Sequence, residues 1–240
     1  MFSKTLFVRL KQASNVTILI GNEFSTCSKI PLFKSKDIVL RNYKPESCHS
    51  FEEFVSNTSL CNDWYAWRKE MMNVSRPSLA HYSLIDLENK LTELTVLNAS
   101  SDGLQKKAGT QSLVQLYGHL FEDKCFDCGS VSIENESPIC ASCGTGRLHP
   151  NVCWFNDEIS AEVKAKASSV SAICEVFIAL GVNELNEDIS VFPFMAKGNG
   201  SYVVEISKNE SALSSHCNES VRGDVNEILP KLTLLINQIM

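Results

Sequence analysis

The sequence predicts an α/β protein: a parallel sheet with crossover helices, interrupted by a smaller metal-braced segment. Three observations carry that expectation. Short apolar, β-branched runs alternate with stretches of helical spacing, two CxxC pairs stand eleven residues apart, and the composition is that of an ordinary globular chain. Strands alternating with helices imply right-handed crossovers and therefore parallel pairing. Over 240 residues, 44% of them hydrophobic and 21% charged, there is apolar material for one large domain carrying a smaller one, which excludes disordered, fibrous and disulfide-stapled peptide classes. With Lys+Arg 22 against Asp+Glu 28 and a formal charge of -6, general attraction to nucleic acid is not expected. An anionic ligand needs a local site.

The elements follow in chain order. The opening MFSKTLFVRLKQASN has neither a continuous apolar run nor a small-residue cleavage site, so no secretory signal is expected. No stretch approaches the roughly 18 apolar residues of a membrane span, and no membrane partner is expected. Val16 to Ile20, ending at Gly21, suits a buried parallel strand. SFEEFVSNTSLCNDWYAWRKEMM reads as one or two helices, broken at Arg76-Pro77-Ser78. The next segment spaces Ala80, Leu84, Leu87 and Leu91 for a helix with one packed face. Leu94 to Leu97 reads as a strand, Ser100 to Gly103 as a turn, Gln105 to Ala108 as a helical turn and Ser112 to Leu116 as a strand. Later come a helix over Ser160 to Ser171 and strands over Glu175 to Leu180 and Tyr202 to Ile206. The last element is an amphipathic helix over Val225 to Ile239 that Pro230 starts or kinks.

Cys125, Cys128, Cys140 and Cys143 are the strongest chemical signal. Each CxxC folds a tight knuckle that turns both thiolates inward, and two knuckles complete a tetrahedral zinc site. With no His or carboxylate leaving an open position, the zinc is expected to be structural, bracing a segment too polar to form its own core. Thiolates that hold a metal must stay reduced, which points to a cytoplasmic setting. The other six cysteines are scattered along the chain and read as incidental thiols.

SSDGLQKKAG, VQLYGHLFEDKCFDCG and CASCGTGRLHPNVCWFNDE resemble, in that order, the central block of the sirtuins, the NAD-dependent protein deacylases. ILIGNEFSTCSKIPLFK lies where that family has TGAGIS and SGIPDFR, FIALG precedes the counterpart of GTS, and VVEISKNES and GDVNEILPKL match the last strand motif and helix. The resemblance implies a Rossmann-like large domain, residues 1–34, 76–120 and 150–240, and a small domain of helical insertion and zinc ribbon, residues 35–75 and 121–149. It places Gly21, Asn22, Glu23, Ser25, Lys34, Ser100, Asp102, Gly181, Asn183 and Ser207 on the cofactor, NAD or ADP-ribose. Val152, Trp154 and Phe155 fall on an acylated-lysine peptide. WYAWRKEMM and PSLAHYSL further resemble the class that accepts succinyl and malonyl lysine, where Tyr65 and Arg68 would face the acyl carboxylate.

The active-site positions depart from this pattern. Tyr117 stands where the family has its general-base His, and a phenol with a pKa of about 10 is a poor base at neutral pH. His119, two residues on, is the one candidate substitute. A strand would displace it by about 6 to 7 Å, which leaves it a surface or supporting histidine. Ala99-Ser100 replaces Gln-Asn, Glu23 replaces the last Gly of GAG, and Leu32 and Lys34 replace Asp and Arg. Glu23 adds bulk and negative charge where backbone amides approach a diphosphate. The expectation is a zinc-containing sirtuin-like pseudoenzyme that retains acyl-lysine or ADP-ribose-type binding. Two readings compete with it. One is an active deacylase with an altered proton acceptor; the other is an interaction module for an unidentified protein, presenting Trp64, Tyr65, Trp67, Met71 and Met72.

Overall fold

The computed structural model describes residues 2–21, 23–30, 48–133, 137–154, 157–182 and 187–239. In chain order the elements are α1 (Lys4–Gln12), β1 (Asn15–Ile20), α2 (Glu23–Thr26), α3 (Phe51–Ser56), α4 (Thr58–Val74), α5 (Leu79–Lys90), β2 (Glu93–Asn98), α6 (Leu104–Ala108) and β3 (Leu113–Gln115). There follow β4 (Gly118–Cys125), β5 (Val131–Ile133), β6 (Leu148–Val152), α7 (Ala161–Ile173), β7 (Val176–Leu180), α8 (Glu187–Gly198), β8 (Tyr202–Ser207), β9 (Glu219–Arg222) and α9 (Val225–Ile239).

Six strands form one parallel sheet in the order β3-β2-β1-β7-β8-β9. Side chains alternate between its faces, so each central strand feeds two cores. Val16, Ile18 and Ile20 of β1 and Val176, Ile178 and Leu180 of β7 join a core with Leu6 and Leu10 of α1, Leu84 and Leu87 of α5, and Leu229 and Leu232 of α9. Leu19, Phe177, Ala179 and Val203 turn the other way, onto Ala167 of α7 and Phe192 and Ala196 of α8. Burial on both faces explains why these strands read as continuous apolar runs rather than alternating ones. Each fully buried Ile, Leu, Val or Phe contributes about 1.5–3 kcal/mol. This doubly wound arrangement is the Rossmann-like fold expected.

A second, three-stranded antiparallel sheet, β5-β4-β6, packs with α3 and α4 around Phe54, Trp64, Tyr65, Met72, Leu120 and Trp154. Trp64, Tyr65 and Met72 are therefore core rather than a presented surface. Several elements escaped the sequence reading. In α1, capped by the Ser3 hydroxyl on Leu6 N–H, only Leu6 and Leu10 are buried, too sparse a stripe to stand out. The sequence reading assigned no helix at α8, which contains Pro193, and Pro230 lies inside α9 rather than at its start. Strand β9 is four residues with a single buried side chain, Val221.

Candidate functional site

The strand order of the parallel sheet reverses between β1 and β7, and ligands of such sheets bind beyond the carboxyl ends at that point. Here those ends are Gly21 and Gly181. Gly21 N–H donates to Leu180 O at 2.8 Å and Glu23 N–H to Gly181 O at 3.2 Å. A Cβ on Gly21 would collide with the Gly181 carbonyl. Gly181 itself sits at φ 60, where an added Cβ would lie 2.9 Å from Glu23 Cβ. The two glycines thus let the loops pass in contact, and Glu23 fills the space beside them, 6% exposed. Its charge adds to that of Asp224 in raising Cys27, which burial foremost pushes up to about 11. Lys208, paired with Asp224 at 3.0 Å, is raised by that bond first and by Glu23 as well. Two carboxylates and one ammonium thus cluster at this end of the cleft.

The β2 and β3 side of the cleft is a closed polar network. Ser25 Oγ donates to Asp102 Oδ2 at 2.7 Å and shares a hydrogen bond of 2.9 Å with Ser100 Oγ; Asp102 Oδ1 accepts Leu104 N–H at 2.8 Å. Asn98, fully buried at the end of β2, accepts Ser100 N–H through Oδ1 and donates to Gln115 Oε1 at 2.7 Å. Gln115 in turn donates to Ser100 O and Gly118 O. Neither Asn98 nor Gln115 was singled out from sequence. The signal was present, since each is a polar residue closing an apolar parallel strand at its carboxyl end.

Tyr117 is half-buried and packs beside the core of α7 and α8, its carbonyl accepting Cys153 N–H at 3.0 Å. Of the two roles expected for His119, surface or supporting, its 7% exposure leaves the supporting one. Its Nδ1 accepts Phe121 N–H at 3.2 Å, which places the proton on Nε2, and that atom is buried without a partner among the described residues. The ring lies against the turn before α6, where a Cβ on Gly103 (φ 74) would come within 3.0 Å of Nε2. Burial holds the imidazole below its usual pKa. With its accepting nitrogen occupied, His119 is not poised as a base.

Tyr65 and Arg68 share the buried face of α4. The Tyr65 hydroxyl donates to Cys48 O at 3.1 Å and accepts the Trp154 indole N–H at 2.9 Å, and burial raises its pKa. Arg68 is 8% exposed; burial lowers it to about 10, opposed by the charge of Asp102. Val152 ends β6, half-buried, and Trp154 is buried with its N–H on Asp157 Oδ2. Ser207 is put on the cofactor by the resemblance. It is fully buried, its hydroxyl donating to Asn209 O and accepting Arg222 Nη1 at 2.7 Å, so it faces an internal cluster in which Arg222 pairs with Glu205. Asn22, Lys34, Phe155 and Asn183 lie outside the described residues. Lys29 was missed: it stands at φ 61, in the place of the Gly in SGIPDFR.

Cys125, Cys128, Cys140 and Cys143 converge, their sulfurs all within 4.8 Å of one another. The Cys125 and Cys143 sulfurs lie 3.8 Å apart and those of Cys128 and Cys140 3.7 Å. A zinc ion with sulfurs at about 2.3 Å in a tetrahedron spaces them about 3.8 Å apart, so the set fits. Gly146 sits where any Cβ would collide with Cys125 Sγ, and its N–H donates to Cys143 Sγ at 3.3 Å. Backbone donors of this kind stabilise thiolate ligands.

A family model described as Sir2 family matches residues 21–185. The chain is 31% identical over 228 residues to "NAD-dependent protein deacylase 2" of Pyrobaculum aerophilum, covering 93% of this chain and 91% of that protein. It is 29% identical over 206 residues to an NAD-dependent protein deacylase of Aquifex aeolicus, 83% and 86% covered. Among solved structures, a Sir2 homologue in complex with 2′-O-acetyl ADP ribose superposes with a TM-score of 0.89 at 26% identity, over 99% of this chain and 98% of that one.

Proposed function

The chain belongs to the Sir2 family, and from that premise we propose that it recognises acyl-lysine peptides but is impaired in NAD-dependent deacylation. Sirtuins use NAD; the reading that this member uses it poorly rests on Tyr117. A phenol takes the position of the general base, and loss of a positioned base typically lowers rate by about 10² to 10⁴. His119 does not compensate, because its Nδ1 is held by Phe121 N–H and its ring is packed on Gly103.

The phosphate side supports the same reading. Glycine-rich loops bind diphosphates by letting backbone N–H groups approach closely. Here the loop carries the buried carboxylate of Glu23, with Asp224 nearby and Lys208 already paired to it. These residues do not fit a dinucleotide diphosphate. What persists is the Ser25–Ser100–Asp102 network and the peptide strip of Val152 and Trp154.

Arg68 supports an acidic acyl group on the peptide. Tyr65 does not add to it, since its hydroxyl already donates to one partner and accepts from another. The division into domains at 1–34, 76–120 and 150–240 against 35–75 and 121–149 is part of the same proposal, supported by the separate cores of the two sheets.

The test is calorimetric titration with NAD and with ADP-ribose, together with deacylation of acetyl- and succinyl-lysine peptides. Wild type is expected to bind peptide with weak dinucleotide affinity and low turnover, succinyl peptide binding better than acetyl. The double variant Glu23→Gly, Tyr117→His is expected to raise both dinucleotide affinity and rate. Wild-type turnover equal to that of an ordinary family member would overturn the proposal.

A further inference from the structure

A groove of about 720 Å³ runs between the end of α2, the C-terminal turn of α4, the linker to α5 and the first turn of α5. It shares none of the cofactor-side residues: Gly21, Glu23, Ser25, Ser100, Asp102 and Gly181 lie outside its lining. Its rim is apolar and open. Val74 is 81% exposed, Leu79 66% and Tyr82 50%, whereas Trp64, Tyr65 and Met72 of α4 turn into the small-domain core. Among the described residues lining the groove, the charged side chains are Lys29 and Arg76, both exposed cations. Cys27, at the α2 end of the lining, also feels the charges of Asp224, Lys208 and Glu23, so the cationic character belongs to the Lys29 and Arg76 rim.

The position of Lys29 is fixed rather than incidental. Its N–H donates to Thr26 O at 2.9 Å and the following Ile30 N–H to Ser25 O at 3.3 Å, which holds Lys29 at φ 61 as the left-handed residue closing α2. Gly or Asn ordinarily occupies such a position, because a Cβ there crowds the backbone. Arg76 is set on the other wall by Pro77, which confines the backbone of the linker.

We propose that this groove is a docking site for an acidic peptide segment of a partner protein, apolar side chains seated against Val74, Leu79 and Tyr82 and carboxylates facing Lys29 and Arg76. Charge complementarity selects the occupant: two cations with no lining carboxylate among the described residues favour an acidic segment over a basic one, and steer its approach. The openness of the groove favours a peptide over a small molecule, since small-molecule sites enclose most of their ligand's surface. The proposal is independent of whether the cofactor cleft is active.

The probe is a fluorescein-labelled synthetic peptide with a central Phe-Leu pair flanked on both sides by glutamates, titrated with the full chain in fluorescence anisotropy. A second peptide carries lysines in place of the glutamates. The acidic probe is expected to bind, more weakly as salt rises, and to lose roughly ten-fold or more in affinity with Lys29→Glu combined with Arg76→Glu. Val74→Ser keeps the charge and is expected to weaken binding without changing its salt dependence, which separates seating from attraction. Circular dichroism checks that each variant is folded. Equal binding of both peptides, no binding of the acidic one, or affinity unchanged in the charge-reversed variant would each overturn the proposal.

Discussion

The parallel sheet and the zinc ribbon hold themselves together by different physics. Every residue of β7 is buried, with Ile178 and Val204 in the core on one face of the sheet and Leu19 in the core on the other. In the ribbon, β5 has no buried residue, and Val131, Ile133 and Ile139 are 50%, 58% and 41% exposed. Stability in the sheet is spread over dozens of contacts, so no single side chain decides it. In the ribbon it is concentrated in four sulfurs.

The largest expected effect follows from that concentration. A structural zinc site contributes on the order of 10 kcal/mol to the segment it folds, far beyond what three exposed apolar residues can supply. Stripping the metal with a chelator, or Cys140→Ser, is expected to unfold residues 125–147 while the six-stranded sheet persists. Hydrogen exchange read by mass spectrometry distinguishes the two regions. Fast exchange throughout β1 and β7 after zinc removal would show that the regions are one cooperative unit and break the comparison.

Acid is expected to reach the two regions by separate routes. On the sheet side, His81 occupies the third position of α5, its Nδ1 accepting Ser78 N–H at 3.2 Å to close the helix cap, and its ring meets Phe24 at 4.7 Å. Burial lowers its pKa from 6.5 to about 4, opposed by Asp102. The unfolded chain therefore takes up this proton first as pH falls. The stability that depends on neutral His81 is complete above pH 6.5 and is lost progressively between 6.5 and 4, amounting to roughly 3 kcal/mol. His119 and His149, also lowered by burial, act in the same direction. Urea unfolding followed from pH 7 to pH 4 should show the loss, and His81→Gln should flatten most of it. A slope unchanged in that variant would move the acid sensitivity from His81 to the other groups, His119 and His149 or the zinc thiolates.

The same contrast explains what the sequence made legible. The central strands were readable because burial on both faces leaves an uninterrupted apolar run, and the ribbon because a metal site imposes spacing on its cysteines. Peripheral elements were not. In α1 the buried stripe is two leucines in a polar helix, and α8 carries Pro193 at mid-helix, where no sequence signal marked a helix. At the candidate site, residue types were readable but partners were not. Nothing in the spacing of Tyr65 and Trp154, 89 positions apart, indicated that one would consume the hydroxyl of the other. Nor did it indicate that Arg222 would draw Ser207 inward.

Lys29 lies beside the sheet, just after α2, and it offers the smallest but cleanest effect. A left-handed backbone costs a lysine roughly 1 kcal/mol more than a glycine, while glycine in the unfolded chain gives back roughly 0.5–1 kcal/mol through entropy. Lys29→Gly is therefore expected to raise stability by no more than about 1 kcal/mol, and Lys29→Ala, which keeps the Cβ, to gain nothing. Both are read from urea midpoints at constant slope. Because Lys29 also supplies a cation to the groove, Lys29→Gly should weaken the acidic probe while stabilising the fold. Opposite signs for folding and binding in one variant would mark the strain as retained for its position; a variant that loses both would show that the lysine side chain braces the loop itself.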